Sequence, residues 1–565
     1  MRRFIRLLFV TCILSPRIDA GPAYLISIDG LQPDLLQTLH QDQKLTARKG
    51  FSWLMERSLV VDRALPSISI TAPSHISTIT CSPPSRHGLI ANEFIRNGEV
   101  VNGFQASFRS EALWRAAMRQ GRSVLSLAYV GADGSSPERS ATYGLAYPDP
   151  DLLGPGQTLA LDGRTETTLD LVLNPRTQEK RTLRLQWDRA NPAAPLLKII
   201  TEEQKLAGFL RPDGQALDLY FQENTGIKRR STLRLLPGSK ADSWRLHISK
   251  ASYNNAYPES FRARLDALNL VWPDYSVKGL KLPLTQAAEA QGAIDRFLAE
   301  VAERLVPELK VDLVLFYQPL LDTLGHELQN RLPLPFQSKA QDEVTKTFLA
   351  GFQIVDRNLD RLLSTADAKT PIVLVGDHGM DAIERMVNLS ALLRPSQKKL
   401  VRFVTSGQLV LLYPAEPQFA AAADKVGQDL KQKLTRLRNP DGKPTLAQAA
   451  RRSDAVKKGR NSEDEWQFGE ALWAFQGLSG DWITFDPRSQ ALFQAPRAGG
   501  MHGTSSHVES MATRMLIHGP DVKPARIAQA SLLSAVPSLT QMMGIKPPHD
   551  CVGVSLLQGQ NITRR

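Results

Sequence analysis

The sequence predicts a doubly wound α/β core, with a mostly parallel sheet flanked by helices and an inserted β-rich domain, on three observations. Short and largely apolar runs, Tyr24-Leu-Ile-Ser-Ile28, Val311-Asp-Leu-Val-Leu-Phe316 and Pro371-Ile-Val-Leu-Val-Gly376, read as strands buried on both faces, which is how parallel strands are composed. Polar, titratable residues follow these runs closely, as at the carboxyl edge of an open α/β sheet, where ligands bind. From about 143 to 262 the pattern changes to alternation of polar and apolar residues, the signature of antiparallel strands with one wet face.

Taken in order, residues 1–20 read as a secretory signal, with the charged start Met-Arg-Arg-Phe-Ile-Arg6, the apolar run Leu7–Leu14 and Ala20 as the cleavage end. That run is too short to span a bilayer. The expectation is a periplasmic or secreted protein with no transmembrane segment in its mature chain. Residues 21–142 read as the first part of the α/β core, in which Ala112–Ala128 reads as a helix followed by a strand. The insert occupies 143–262, with strands expected at Thr168–Leu173, Arg181–Trp187 and Ala216–Phe221. It reads either as a cap over the active-site face or as a packing module. The second part of the core, 263–565, resumes with one long amphipathic helix over Gln286–Leu305. Within it, a small subdomain is expected at about 400–500, where Ala420–Arg460 reads as helical around an Asn439-Pro-Asp-Gly442 turn.

Composition bounds the function. A chain of 565 residues, 42% hydrophobic, can bury a large core in more than one unit. Residues 1–20 carry four arginines and one aspartate, so the remainder keeps +9 of the formal +12, a charge that attracts anionic substrates. The basic runs Lys228-Arg-Arg230, Arg451-Arg452 and Lys457–Arg460 lack interleaved aromatics and read as solvated faces, so no nucleic-acid partner is expected. Beyond residue 20 only Cys81 and Cys551 remain, and they either pair or stand as independent thiols.

The chemistry lies in dispersed carboxylates and imidazoles. Asp29 closes the first run, Asp322 and His326 are four apart and share a helix face, Asp377-His378 closes the third run, and His502 sits in Gly500-Met-His-Gly503. Carboxylate oxygen with imidazole nitrogen suits zinc and related ions better than calcium or magnesium. Three of each are too many for one four-coordinate ion and suit two. A two-metal centre stabilises both the attacking and the leaving oxygen of phosphoryl transfer. The nucleophile is expected in Pro66–Thr80, where Thr71 stands at the start of a helix whose first turn holds Pro73, so that backbone N–H groups face an anion. The plainer alternative is that Thr71 or Ser69 only caps this helix.

Together, Ile28-Asp-Gly30, Thr71-Ala-Pro-Ser-His75 running into Pro84–Asn92, Asp322-Thr-Leu-Gly-His326, Gly376-Asp-His-Gly-Met380 and His502-Gly503 resemble the alkaline phosphatase superfamily and, within it, the nucleotide pyrophosphatase/phosphodiesterase family. The resemblance implies an alkaline phosphatase-like fold and two zinc ions. It places Asp29, Thr71, Asp377 and His378 around one ion and Asp322, His326 and His502 around the other. It makes Thr71 the nucleophile that becomes a phosphothreonine ester. It gives Asn92 the hydrogen bond to a non-bridging phosphoryl oxygen, with the N–H of Ala72 as a second donor. His75 and His87 are expected in structural hydrogen bonds, and His507 behind a metal ligand.

Two departures qualify the resemblance. The usual Thr-Phe-Pro-Asn-His is Thr71-Ala-Pro-Ser-His75 here, so the aromatic beside the leaving group is missing. Cys81-Ser-Pro-Pro-Ser-Arg86 imitates a sulfatase sequence but places its arginine one residue too far along. The expectation is an exported phosphodiesterase or pyrophosphatase acting on small phosphate esters. The alternatives are a phosphomonoesterase or phosphonate hydrolase of the same superfamily and, from another class, an inactive metal-containing binding protein.

Overall fold

The computed structural model describes residues 21–161, 166–188, 196–211, 215–238, 243–274, 280, 282–457, 469–505 and 508–558. The signal reading at 1–20, most of the run Lys457–Arg460 and the expectation for His507 fall outside them. No described helix is long and apolar enough to cross a membrane.

A nine-stranded mixed sheet organises the chain. In sequence its strands are β1 (Ala23–Ile28), β2 (Leu59–Leu65), β3 (Val124–Leu127), β4 (Tyr143–Ala146), β5 (Asn255–Tyr257), β6 (Leu313–Gln318), β7 (Ile372–Gly376), β8 (Thr513–His518) and β9 (Ala525–Ser531). In space they run β5-β4-β3-β6-β1-β7-β8-β2-β9. Pairing is parallel from β4 through β7 and between β2 and β9, and antiparallel where β5 meets β4 and on both sides of β8.

The central strands are apolar because both of their faces are covered. Tyr24, Ile26 and Ile28 of β1 and Ile372 and Leu374 of β7 join one apolar cluster, while Ala23, Leu25, Val373 and Val375 join the other. Helices Ala293–Leu309 and Glu343–Leu362 press Phe297, Leu298, Val301, Phe348, Phe352 and Val355 onto the first face. Helix α1 (Thr71–Thr80) packs Ile76 and Ile79 onto the second, beside Trp114. This is the doubly wound, mostly parallel α/β architecture expected.

Between β4 and β5 in sequence lie two antiparallel sheets, one of strands Glu166–Asn174, Glu179–Asp188, Leu196–Thr201 and Leu206–Leu210, the other built on Ala216–Gln222, Lys228–Pro237 and Trp244–Ile248. Their alternate leucines and isoleucines close a separate apolar cluster. Two helical readings need correction. Gln286–Leu305 is two helices, Leu284–Gln291 and Ala293–Leu309, because Gly292 leaves helical geometry (ψ 2°) where an added Cβ would press within 3.2 Å of Ile354. The helix from Ala420 ends at Arg436, and Leu446–Arg451 is a strand paired with Trp473–Gly477, since the Asn439-Pro-Asp-Gly442 turn reverses the chain toward that distant partner.

Cys81 and Cys551 are joined in a disulfide across 470 residues, with Cα atoms 4.7 Å apart. Cys81 ends α1 in the left-handed conformation (φ 41°), so the bond ties the last described segment to the end of that helix. Crosslinks over long loops mainly restrict the unfolded chain. The double variant Cys81→Ala/Cys551→Ala is expected to lose about 2–4 kcal/mol of stability by denaturant titration. An unchanged midpoint would mean that the bond contributes nothing.

Candidate metal centre and nucleophile

Strand register gathers the site. Ile28 of β1 lies opposite both Gln318 of β6 and Gly376 of β7, so the residues leaving these three strands emerge at one edge. Asp29 and Asp377 are the next residues on β1 and β7, and β6 runs into α2 (Leu320–Leu328), which carries Asp322 and His326. Gly30 makes the approach feasible: its φ is +66°, and a Cβ there would sit 2.7 Å from the Asp322 Cα. Its N–H donates to Asp377 Oδ1 (3.2 Å), as does the N–H of His378 (2.9 Å).

The three histidines are held alike. Each has Nδ1 2.9 Å from a backbone carbonyl: His326 from Gly500, His378 from Gly379 and His502 from Ser69. A carbonyl only accepts, so Nδ1 carries the proton and donates it, and the Nε2 lone pair is left for the interior. His378 Nε2 lies 3.1 Å from Asp377 Oδ2 and 3.4 Å from Asp29 Oδ1, and Asp322 Oδ1 lies 3.4 Å from His326 Nε2 and 3.7 Å from His502 Nε2.

Asp29 Oδ1, Asp322 Oδ1 and Asp377 Oδ2 are buried with no hydrogen-bond donor. Three carboxylate oxygens without a hydrogen bond therefore face imidazole lone pairs, with the Thr71 hydroxyl 3.1 Å from that of His378 and His75 Nδ1 3.4 Å from Asp377 Oδ2. Burying such acceptors unpaired is costly, and a divalent cation is the partner that satisfies them all. Asp29, Asp377 and His378 form one group able to hold an ion, and Asp322, His378 and His502 a second. His378 belongs geometrically to both, and His326 adjoins the second through Asp322.

The electrostatics agree. Burial, reinforced by Asp322 at Asp29, by Asp377 at Asp322 and by Asp29 at Asp377, pushes all three carboxyls well above their ordinary range. Burial, reinforced by neighbouring imidazoles, holds His378 well below its usual value and His502 down at about 3; burial also lowers His326. The metal-free pocket thus favours neutral groups, and a bound cation reverses that preference for the carboxylates. The two groups differ in depth: the side chains of Asp29, Asp377 and His378 are at most 2% exposed, those of Asp322 and His326 17% and 29%.

Thr71 is the first residue of α1, and its Oγ1 lies 3.1 Å from His378 Nε2. Its hydroxyl does not cap the helix. The N-cap is Ile70, which makes no side-chain cap bond. Ser69 is buried with its hydroxyl donated to the Thr504 carbonyl (2.5 Å). The Ala72 N–H donates to Asn92 Oδ1 (2.8 Å), so it is engaged rather than open as the second donor expected. That bond, with the Asn92 N–H on Ser406 Oγ (2.8 Å), fixes Asn92 and leaves Nδ2 as its donor end.

His75 and His87 make the structural bonds expected of them. His75 donates from Nδ1 to the Thr71 carbonyl (2.8 Å) and faces Ser27 Oγ with Nε2 (2.9 Å), and His87 faces Ser77 Oγ (2.9 Å). The sequence reading missed Tyr317, whose hydroxyl donates to Asp29 Oδ2 (2.5 Å), and Ser74, whose hydroxyl donates to the Asp377 carbonyl (2.7 Å) and ties α1 to the β7 loop. Neither has a local signal. Tyr317 sits inside an apolar strand and Ser74 inside a hydroxyl-rich helix.

The family model for type I phosphodiesterase/nucleotide pyrophosphatase matches residues 23–505. A search among curated proteins finds no match. Among solved structures, murine ectonucleotide pyrophosphatase/phosphodiesterase 5 aligns with a TM-score of 0.52 at 13% identity, covering 93% of this chain and 96% of that one. An inactive threonine-to-alanine variant of that murine protein, in complex with AMP, aligns with a TM-score of 0.51 at 14% identity and the same coverages. At such identities the likeness is one of fold.

Proposed function

The chain belongs to the type I phosphodiesterase/nucleotide pyrophosphatase family, a family of phosphoric ester hydrolases, and on that premise we propose that it cleaves small phosphodiesters or pyrophosphates with Thr71 as nucleophile and two zinc ions. The observation that carries this reading is the set of donorless carboxylate oxygens facing imidazole lone pairs beside a threonine hydroxyl at a helix N-terminus.

Asp29, Thr71, Asp377 and His378 would hold the inner ion, and Asp322, His326 and His502 the outer one. Bound there, the ions would acidify the Thr71 hydroxyl and neutralise charge gathering on the phosphoryl oxygens. Thr71 Oγ1 attacks phosphorus as the bond to the leaving oxygen breaks on the opposite side, giving a phosphothreonine ester. Water then adds to phosphorus, the bond to Oγ1 breaks, and the hydroxyl returns. Asn92 Nδ2 donates to a non-bridging oxygen, where charge builds in the transition state. The inactive threonine-to-alanine variant of the murine relative supports a threonine in this role, and its AMP supports nucleotide-type substrates. Base stacking beside the nucleophile is not part of the proposal: Ala72 offers no ring, and Gly103 lies over it, a Cβ there reaching 3.4 Å from that of Ala72. Export to an oxidising compartment is proposed on the signal-like start and the Cys81–Cys551 bond.

The test is hydrolysis of bis(p-nitrophenyl) phosphate against p-nitrophenyl phosphate by the mature protein, metal-stripped and then restored with zinc. A zinc-dependent preference for the diester is expected. Preference for the monoester would make the chain a phosphatase, and zinc uptake without turnover of either ester would make it a binding protein.

A further inference from the structure

Tyr317 lies inside β6, paired in register with Ser27 of β1, two residues before Asp29. It is buried, and its ring makes edge contacts with His75 (centroids 5.2 Å apart, planes at 79°) and Tyr147 (6.5 Å, 64°). Neighbours on two sides thus fix the direction of its hydroxyl, which donates to Asp29 Oδ2 at 2.5 Å. The other oxygen of the same carboxylate, Oδ1, has no donor and faces His378 Nε2 at 3.4 Å. The two oxygens of Asp29 are therefore unlike: one is committed to a phenol and the other is presented to the cation site.

We propose that Tyr317 is a positioning residue that makes Asp29 a one-oxygen ligand of the inner ion. The inference rests on the two-zinc reading above. A carboxylate with both oxygens free can turn about its Cβ–Cγ bond and grip an ion with both, which takes up a second coordination position. On a four-coordinate ion shared by Asp29, Asp377, His378 and Thr71, that second grip would displace the weakest ligand, the Thr71 hydroxyl. By occupying Oδ2, Tyr317 keeps a place for the nucleophile. The outer group receives no such constraint, because the Tyr317 hydroxyl is bonded to Asp29 alone among the metal-site carboxylates.

The experiment is a two-step zinc titration of wild type and Tyr317→Phe against a chromophoric chelator, with melting temperatures of the metal-free proteins and the kcat and KM of zinc-loaded enzyme for bis(p-nitrophenyl) phosphate. Phenylalanine keeps the ring against His75 and removes only the hydroxyl. One zinc step is expected to shift by about 10–100-fold, the usual scale on which removing a group that orients a metal ligand acts, with the other step unchanged. At saturating zinc, kcat is expected to fall by at least about tenfold with KM held within about twofold, because Thr71 loses its place rather than the substrate its binding contacts. Two unchanged zinc steps would overturn the proposal. Equal weakening of both steps with a lowered melting temperature would overturn it in favour of a purely structural role. A wild-type protein that binds no zinc would overturn the two-zinc reading itself, a separate failure visible before the variant is compared.

Discussion

Thr71→Ala is expected to retain both zinc ions and to lose turnover of the preferred ester by about 10³-fold or more, the scale on which removing a covalent nucleophile acts. Three stronger donors, Asp29, Asp377 and His378, remain around the inner position, so metal content survives while the attacking oxygen is gone. The neighbouring hydroxyl offers no substitute, since Ser69 is buried and donates to the Thr504 carbonyl. Thr71→Ser keeps an oxygen at the helix start and is expected to hold turnover within about tenfold of wild type, the loss reflecting the freer rotation of an unbranched side chain. Metal analysis beside steady-state kinetics separates the cases. Near-wild-type turnover by Thr71→Ala would remove the residue from the nucleophile's role.

Asp377→Asn is expected to have opposite effects on the metal-free and metal-loaded protein. The amide oxygen can keep the bonds that Oδ1 accepts from the Gly30 and His378 N–H groups. The amide nitrogen would then stand where Oδ2 stands, 3.1 Å from the His378 Nε2 lone pair, and add a donor there beside the Thr71 hydroxyl, while His75 Nδ1, 3.4 Å away, keeps its bond to the Thr71 carbonyl. It also removes one of three crowded carboxylates. Metal-free Asp377→Asn should therefore melt at or above the temperature of metal-free wild type. Zinc should do less for it: a ligand at 100 times its dissociation constant stabilises a protein by about 2.7 kcal/mol, and the inner site's share of that gain disappears. Turnover is expected to fall by about 10³-fold or more, because the proposed mechanism puts Asp377, His378 and Thr71 on one ion. Thermal melts with and without zinc read both effects. An unchanged zinc-induced shift in the variant would remove Asp377 from the ligand set.

Asp29 and Asp377 were legible because an apolar run that stops on an aspartate and a glycine is a buried strand meeting a loop, and strand identity depends on local composition. Asp322 and His326 were legible through helical spacing. Tyr317 was not, because its bond to Asp29 depends on the register between β1 and β6, strands 288 residues apart along the chain at the contact. An aromatic inside a strand looks the same in sequence whether it packs or donates. The break at Gly292 escaped because the apolar period continues through it, and the strand Leu446–Arg451 because its partner, Trp473–Gly477, is remote. The sharing of His378 between two acidic groups likewise follows from distances between loops that no spacing encodes. Cys81 and Cys551 could not be matched in advance, since two cysteines fix one candidate bond but not its geometry.

The place of β8 (Thr513–His518) governs when during synthesis this protein can become itself. It lies between β7 and β2, and β2 has no sheet neighbours other than β8 and β9. A nascent chain halted before residue 502 already carries Asp29, Thr71, Asp322, His326, Asp377 and His378, yet it lacks His502 and the strand that joins Leu59–Leu65 to the rest of the sheet. Without β8, the pairings of β7 and β2 on its two sides are absent, and an unpaired strand edge is a template for aggregation. The sheet and the candidate metal centre are therefore completed only by a segment more than 400 residues along the chain from β2 and Thr71.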